Sequence, residues 1–301
     1  MASSAREPVG LIGLGIMGGA MAEALVAAGH PVSGFDVAAA AMERLKAAGG
    51  QGCDGAAQVA RDAEVLIFSL STSPAMLESA RNVAASVQAG GRCRLVIETS
   101  TLPLDDKNEV ARILEGAGIA VLDCPISGTA VRMKEGAWTI YCSGAEPSYE
   151  RARPLLQVFT QMVPFVGAYG NGTKMKFAAN HLVAILNVAC AESTNLARKM
   201  GLDPRQVLEL FGNSPVIGTG VMRLRMPFMI ERRYEPATMK VEVWQKDMQV
   251  IGDMARSVDC PTPLFSACVP IYSAAMAQGR AKHDTASVSE VLAGLAGVDR
   301  S

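Results

Sequence analysis

Histidine is nearly missing from this chain: there are three among 301 residues. That leaves few places for the commonest proton-transfer group. His30 falls in a helix–strand turn and His283 in a polar tail between Lys282 and Asp284, so both read as solvated surface residues. His181, beside Asn180 on a long helix, is the one with a candidate role. Paired cysteines are missing too. Seven are scattered singly (Cys53, Cys93, Cys124, Cys142, Cys190, Cys260, Cys268), an odd number with no CxxC. The pattern argues against a disulfide framework and a zinc site, and reads as reduced, intracellular thiols. No cluster of His, Cys and Asp suggests another metal. Charge of one sign is absent as well: 28 Lys and Arg face 29 Asp and Glu, for a net charge of −1. With no basic amphipathic stretch, neither a nucleic acid nor a membrane surface is an expected partner. The longest apolar run, Leu182 to Ala191, is broken by Asn187 and too short to span a bilayer. Met1 to Pro8 is polar and too short for a signal peptide. A cytoplasmic, soluble protein is the expectation.

What the chain has is apolar residues, half of the total, and a length that suggests two domains. Its most informative stretch is Gly13-Leu14-Gly15-Ile16-Met17-Gly18. An apolar run (Val9, Leu11, Ile12) precedes it, and an Ala-rich segment follows from Gly19 to Ala28 and ends at Gly29. A second apolar run, Val32 to Phe35, stops at Asp36. Strand, glycine turn, helix, strand and acid, in that order, bind the pyrophosphate and adenosine ribose of a dinucleotide. Gly13 permits the tight turn, Gly15 lets backbone approach the pyrophosphate, and Gly18 lets the helix pack close to the sheet. The helix start offers N–H groups and partial positive charge to the phosphates. Asp36, 21 residues beyond Gly15, is placed to accept hydrogen bonds from both ribose hydroxyls and to repel a 2′-phosphate. No Arg follows it directly, so NAD is favoured over NADP.

The βα alternation continues with a helix over Ala39–Ala48, strands over Val65–Leu70 and Leu95–Glu98, a helix over Asp105–Glu115 and a strand over Ile119–Leu122. Ser71–Pro74 reads as a turn, and Thr139–Cys142 and Val163–Val166 as later strands. The character changes near Gly167. A helical stretch runs from about Thr173 to Met200, Asp203-Pro204 starts another helix, and no strand is expected after Val166. The fold class is therefore α/β: a Rossmann-type doubly wound sheet over residues 1–168, and an all-α domain over 169–301 joined by the long helix.

Three further constellations carry possible chemistry. Lys176 stands on the first turns of the long helix, with Asn180 four residues on and Asn187 near the same stripe. A polar stripe on an otherwise apolar helix suits a polar cleft, whereas Lys174 points about 200° away and fits an ordinary surface lysine. The segment Asp123-Cys124-Pro125-Ile126-Ser127-Gly128-Thr129 follows a strand; its Ser127 and the N–H groups near Gly128 suit a carboxylate, or merely a hydrogen-bonded turn. Lys246-Asp247, taken alone, reads as surface charge.

Together, in this order, these features resemble the β-hydroxyacid dehydrogenase family over nearly the whole chain. Residues 10–18 resemble its opening signature, Asp123 to Gly128 its substrate loop, Gly170-x-Gly172-xxx-Lys176 with Asn180 its catalytic motif, and Lys246-Asp247 its second-domain pair. The resemblance implies Lys176 as general acid/base on the substrate hydroxyl, with Asn180 orienting substrate or lysine. It implies Ser127, Gly128 and Thr129 on the substrate carboxylate, Asp247 supporting the site, and Leu70, Ser71, Thr101 and Lys246 along the dinucleotide. It also implies a homodimer or homotetramer built through the helical domain. For a partly buried lysine near a positive nicotinamide, both effects favour the neutral amine, which suits a proton acceptor.

The chain departs from that pattern at Thr129, where a second glycine is usual, at Arg132, Trp138 and Ala179, and at Glu98, where Asp is usual; Pro103 comes one residue early. Thr129 and Arg132 point to a more oxygenated, sugar-acid-like substrate. The alternatives are an NADPH-dependent reductase of small aldehyde acids, an imine reductase-like enzyme, against which Lys176 counts, and a non-catalytic nucleotide-binding scaffold. Because like charges facing each other cost several kcal/mol, Asp36 predicts a kcat/KM with NAD at least about tenfold above that with NADP. Initial rates with the two cofactors measure it.

Overall fold

The computed structural model describes residues 6–298; the side chains of Val131, Arg132 and Lys134 lie outside the described set, as do the first five residues of the Met1–Pro8 segment. The chain divides into two compact units, one running through Lys176 and the other beginning at Phe177.

Among the described residues of the first unit nine strands form: β1 (Val9–Ile12), β2 (Val32–Phe35), β3 (Gln51–Gly52), β4 (Val65–Phe68), β5 (Leu95–Glu98), β6 (Ala120–Asp123), β7 (Ile126–Ser127), β8 (Thr139–Ile140) and β9 (Ser143–Gly144). Six helices accompany them: α1 (Ile16–Ala27), α2 (Ala39–Ala47), α3 (Ala56–Asp62), α4 (Ser73–Gln88), α5 (Leu104–Glu115) and α6 (Glu146–Leu156). The main sheet has the order β3-β2-β1-β4-β5-β6-β9, parallel except for β9, which runs antiparallel to β6. Its central strands are buried on both faces, hence the unbroken apolar sequence of β4 and the apolar Leu95 to Ile97 of β5, which ends in the buried Glu98. Successive residues serve opposite cores. Leu11, Ile67, Ile97 and Leu122 face one, while Ile12, Phe68, Val96 and Val121 face the other. The order reverses between β1 and β4, so the carboxyl ends of these neighbours form the switch point where such sheets bind ligands.

Some sequence-based boundaries move. Ser71–Pro74 is a helix start rather than a free turn: Thr72 Oγ1 accepts from Ala75 N at 3.4 Å, with Pro74 in the first turn of α4. Thr139–Cys142 shortens: Thr139–Ile140 pairs with β7 in a separate hairpin, and Ser143–Gly144, just beyond the expected strand, joins the main sheet as β9. Val163–Val166 forms no named strand. Phe165 makes an isolated bridge to Cys142 and the preceding Met162 one to Thr139, and Pro164 between them, lacking an N–H, interrupts the ladder.

Helix α7 (Asn171–Lys199) begins in the first unit and continues into the second. There it is joined by α8 (Pro204–Gly212), α9 (Gly220–Glu231), α10 (Val241–Ser257), α11 (Pro263–Ala277) and α12 (Val288–Ala296) around an apolar core that includes Trp244, Phe265 and Tyr272. No strand is assigned among the described residues of this unit. Asp203 caps α8 by accepting from Arg205 N at 2.9 Å, with Pro204 as the first helical residue. The segment around His283 is not a polar tail. His283 is half-buried and stacked on Tyr234, and Asp284 is fully buried. Asp284 accepts from Arg225 Nη1 at 2.6 Å and from the N–H groups of Thr238 and Ala286 at 2.8 and 2.9 Å. Breaking a buried pair strands a charge. Asp284→Ala should therefore lower the stability of the second unit by about 3–5 kcal/mol, measured by denaturant unfolding.

Candidate active site

The carboxyl edge of the sheet gathers the dinucleotide candidates. Gly13 leaves β1 at φ +89°, where a Cβ would stand 2.3 Å from Ser69 O. Gly18, in the first turn of α1, lies against the loop it follows: a Cβ there would stand 2.0 Å from Gly13 O. Gly15 opens α1 with no side chain capping it and no heavy atom near its Cβ direction. Backbone can thus be approached closely at Gly15 and the helix start is uncapped, both of which fit a pyrophosphate. Leu14 is buried, Ile16 is exposed and Met17 packs against the core. Asp36, just past β2, accepts from Leu14 N at 2.6 Å and from Ala38 N at 2.8 Å, so its carboxylate is held against the glycine loop. Leu70 and Ser71 follow β4, and Thr101 follows β5; Leu70 N donates to Ser100 Oγ at 2.9 Å, tying two of these loops together. The residues fit the adenosine end of a dinucleotide. One cation escaped the sequence reading. Arg44, on α2, reaches Leu14 O at 3.3 Å, its approach set by helix packing rather than by proximity to Asp36 in sequence.

Asp123 to Thr129 connect β6 to β7 and onward. The Asp123 side chain does not face the loop; it is fully buried beneath it. Ser127 is half-buried and pairs with Thr139. Gly128 sits at φ +143° with Trp138 against it, where a Cβ would lie 2.4 Å from Cδ1. Trp138 Nε1 donates to Thr129 O at 2.7 Å. The large residue at 138 thus braces the loop, which requires glycine at 128. Thr129 Oγ1 is buried and has no hydrogen-bond partner among the described residues. Cys124 and Cys142 place their sulfurs 3.0 Å apart as free thiols, and burial pushes the Cys124 thiol well up, away from thiolate reactivity.

The third group lies on α7. Thr173, Lys176, Asn180 and Asn187 share one stripe and all are buried, whereas Lys174 is exposed. Asn180 Nδ2 donates to Asp247 Oδ2 at 2.8 Å, and Lys246 Nζ lies 3.4 Å from Asp247 Oδ1. The Lys-Asp pair is thus joined to α7 within the second unit, and Asp247 is buried rather than part of a solvated charged face. Asn187 behaves differently from the sequence expectation of a polar cleft. Its Nδ2 donates to Tyr272 Oη at 2.9 Å and to Thr285 O at 3.0 Å, inside the helical core. His181 is half-buried and stacked on Phe265. Among the described residues no group of three or more metal-ligating side chains stands together, and no helix is long and apolar enough to cross a membrane.

Beneath the loop ends lies a network that sequence reading missed. Lys107, on α5, is fully buried. Its Nζ donates to Asp123 Oδ1 at 2.5 Å, Thr173 Oγ1 at 2.7 Å and Ser100 O at 3.0 Å, and stands 2.6 Å from Glu98 Oε2. Burial alone would drive this ammonium toward its neutral form, but Glu98 and Asp123 outweigh burial and hold its pKa above the ordinary lysine value. In sequence, Lys107 sits in a charged stretch, Asp105 to Glu109, and looks like any surface lysine.

Asn187→Ala removes two buried donors and should cost about 1–3 kcal/mol in stability, with kcat per folded molecule within about twofold of the parent, since the side chain is committed to the core. Thermal unfolding and active-fraction kinetics check the two halves separately.

Residues 8–167 match the family described as the NAD binding domain of 6-phosphogluconate dehydrogenase, and residues 170–292 that described as NAD-binding of NADP-dependent 3-hydroxyisobutyrate dehydrogenase. L-threonate dehydrogenase of Cupriavidus necator is 29% identical over 291 residues, covering 95% of this chain and 96% of that protein. The mitochondrial 3-hydroxyisobutyrate dehydrogenase of Homo sapiens is 30% identical over 303 residues, covering 96% and 88%. The solved structure of Mycobacterium tuberculosis 3-hydroxyisobutyrate dehydrogenase with L-serine matches at a TM-score of 0.84 and 27% identity, covering 95% of this chain and 99% of that one. An imine reductase from Pseudomonas sp., at TM-score 0.63 and 19% identity over 95% and 99% of the two chains, shares the fold alone. The chain belongs to the β-hydroxyacid dehydrogenase family, whose members matched here are dehydrogenases of small hydroxy acids, and its dinucleotide is NAD or NADP.

Proposed function

We propose that this enzyme interconverts a small 3-hydroxy acid and its aldehyde or keto acid, with NAD as the dinucleotide and Lys176 as general acid/base. The observation that carries the reading is the buried polar stripe at the start of α7. Lys176 and Asn180 are buried on one helix face, and Asn180 is fixed by Asp247. Lysine is costly to bury, and one buried beside a fixed polar partner is a candidate proton carrier.

The dinucleotide, when bound, supplies the hydride acceptor or donor. The chain's own residues do the rest. Gly13 to Gly18 and Asp36 hold the adenosine end, with Leu70, Ser71, Thr101 and Lys246 along the remainder. Ser127, Gly128 and Thr129 hold the substrate carboxylate, and Asp247 keeps Asn180 oriented. Lys176 takes the hydroxyl proton during oxidation and returns it during reduction. Residues 1–168 act as the dinucleotide domain and 169–301 as the substrate and oligomerisation domain. The assembly is a homodimer or homotetramer, and the enzyme works in the cytoplasm.

For the acid itself, two observations favour one bearing extra hydroxyls. The buried Thr129 Oγ1 lacks a protein partner among the described residues, so a substrate hydroxyl would satisfy it. A relative alike over 95% of the chain is named for L-threonate, a polyhydroxylated acid. Arg132 adds a charge to the same segment. The NAD preference rests on Asp36; Arg44 at the same loop is what an NADPH-dependent reductase of aldehyde acids would use instead.

Lys176→Ala should lower kcat by about 10²–10⁴-fold, the usual contribution of a general acid/base, with NADH affinity nearly unchanged. Stopped-flow turnover and NADH fluorescence titration test it; surviving turnover removes Lys176 from the mechanism. On a panel of acids, threonate-type substrates should exceed 3-hydroxyisobutyrate in kcat/KM. Exclusive use of 3-hydroxyisobutyrate would end the proposal for an oxygenated acid.

A further inference from the structure

We infer that Lys107 is a positioning residue of the active site: its buried ammonium fastens the first turn of α7, through Thr173 and Asp123, and so sets the place of Lys176. The inference rests on the proposed role of Lys176 in catalysis.

A buried ammonium is an expensive way to fill space. Its desolvation costs several kcal/mol, and a well-packed apolar side chain of similar volume often stabilises a fold as well or better. What the ammonium does that a methionine cannot is direct three protons at once. They go to three separate parts of the chain: Ser100 after β5, Asp123 at the end of β6, and Thr173 in the first turn of α7. Glu98 is a second carboxylate on the same ammonium, with Oε2 at 2.6 Å, while its Oε1 accepts from Ser100 N at 2.8 Å.

The start of α7 depends on these partners for its cap. Helix starts leave N–H groups unsatisfied. Here Asn171 turns its side chain away, donating to Val166 O at 3.0 Å. The cap comes from the sheet instead. Thr173 N donates to Asp123 Oδ2 at 2.7 Å, and Gly172 N to Ser143 Oγ at 2.9 Å. The Thr173 hydroxyl donates to Asp123 Oδ1 at 2.7 Å while accepting from Lys107, so no member of the set is free to rotate. Gly172 is pressed against the strands: a Cβ there would stand 2.4 Å from Tyr141 O. Lys176 follows three residues later on the stripe that Thr173 opens. The segment that holds the start of the proposed base-bearing helix thus begins at Asp123, the first residue of the substrate loop, and Lys107 neutralises it. Through Ser100, whose Oγ accepts from Leu70 N, the same network borders the dinucleotide loops.

The test is Thr173→Val, which keeps the shape and deletes the hydroxyl, beside Thr173→Ser, which keeps the hydroxyl, and Lys107→Met. Positioning predicts that Thr173→Val loses about tenfold in kcat, equivalent to roughly 1.4 kcal/mol, with KM for NAD and for the acid within about twofold. Thr173→Ser should recover most of the loss, and Lys107→Met should lose more than Thr173→Val. Amide hydrogen exchange at residues 172–176 of the full chain should quicken in Thr173→Val and not in Thr173→Ser. A variant that melts lower but keeps the parent kcat per active molecule and the parent exchange at 172–176 overturns the inference, leaving Lys107 a packing residue. If Lys107→Met does not fold, the Val/Ser pair still decides. If Lys176→Ala retains turnover, the reading of the base fails, and the exchange measurement alone judges whether Lys107 and Thr173 hold the helix start.

Discussion

The carboxylate of Asp123 is the point on which the first unit's functional edge turns. It lies in a dry interior, where an unpaired charge would be prohibitive, so every hydrogen bond it accepts is also a constraint on the group that donates. Those donors come from α5, from β9, and from the first turn of α7. The loop that follows Asp123 and the helix that carries Lys176 therefore inherit their places from one buried acid and the ammonium that neutralises it. The glycine loop and its Asp36 form a second, independent set of constraints at β1 and β2. The parallel sheet brings the two sets to the same edge.

Most of the fold was legible because its driving patterns are local. Short, mostly apolar runs bounded by polar residues or proline read as buried strands, and Val32–Phe35 and Leu95–Glu98 appear with those boundaries. Where backbone pairing depends on distant partners, the reading slipped: only Thr139–Ile140 of the expected Thr139–Cys142 strand joins a sheet, and Pro164 keeps its neighbours from joining one. Helix α4 was missed because its cap, Thr72 with Pro74, is composed of the same residues that make turns.

The candidate site divides in the same way. Gly13, Gly15, Gly18 and Asp36 were visible because dinucleotide binding uses a contiguous strand–turn–helix spacing. Lys176 and Asn180 were visible as a helical stripe, but the stripe did not distinguish Asn180, bound to Asp247, from Asn187, bound within the core to Tyr272. Periodicity gives a face and says nothing of what meets it. Lys107 was invisible for the opposite reason. Its surroundings are assembled from residues 98, 100, 123 and 173, and nothing in its own helix marks it as buried. Likewise Trp138, noted only as a large residue in an unusual place, proves to be the support against which Gly128 must lack a side chain.

The boundary between the two units falls inside α7 rather than in a loop. A helix bends reluctantly, and its rise of about 1.5 Å per residue puts Lys176 and Asn180 roughly 6 Å apart along the axis. That spacing is independent of any hinge elsewhere in the chain. The polar stripe that Thr173 opens is therefore spaced by the pitch of the helix itself, with no loop between its members to lengthen or slacken.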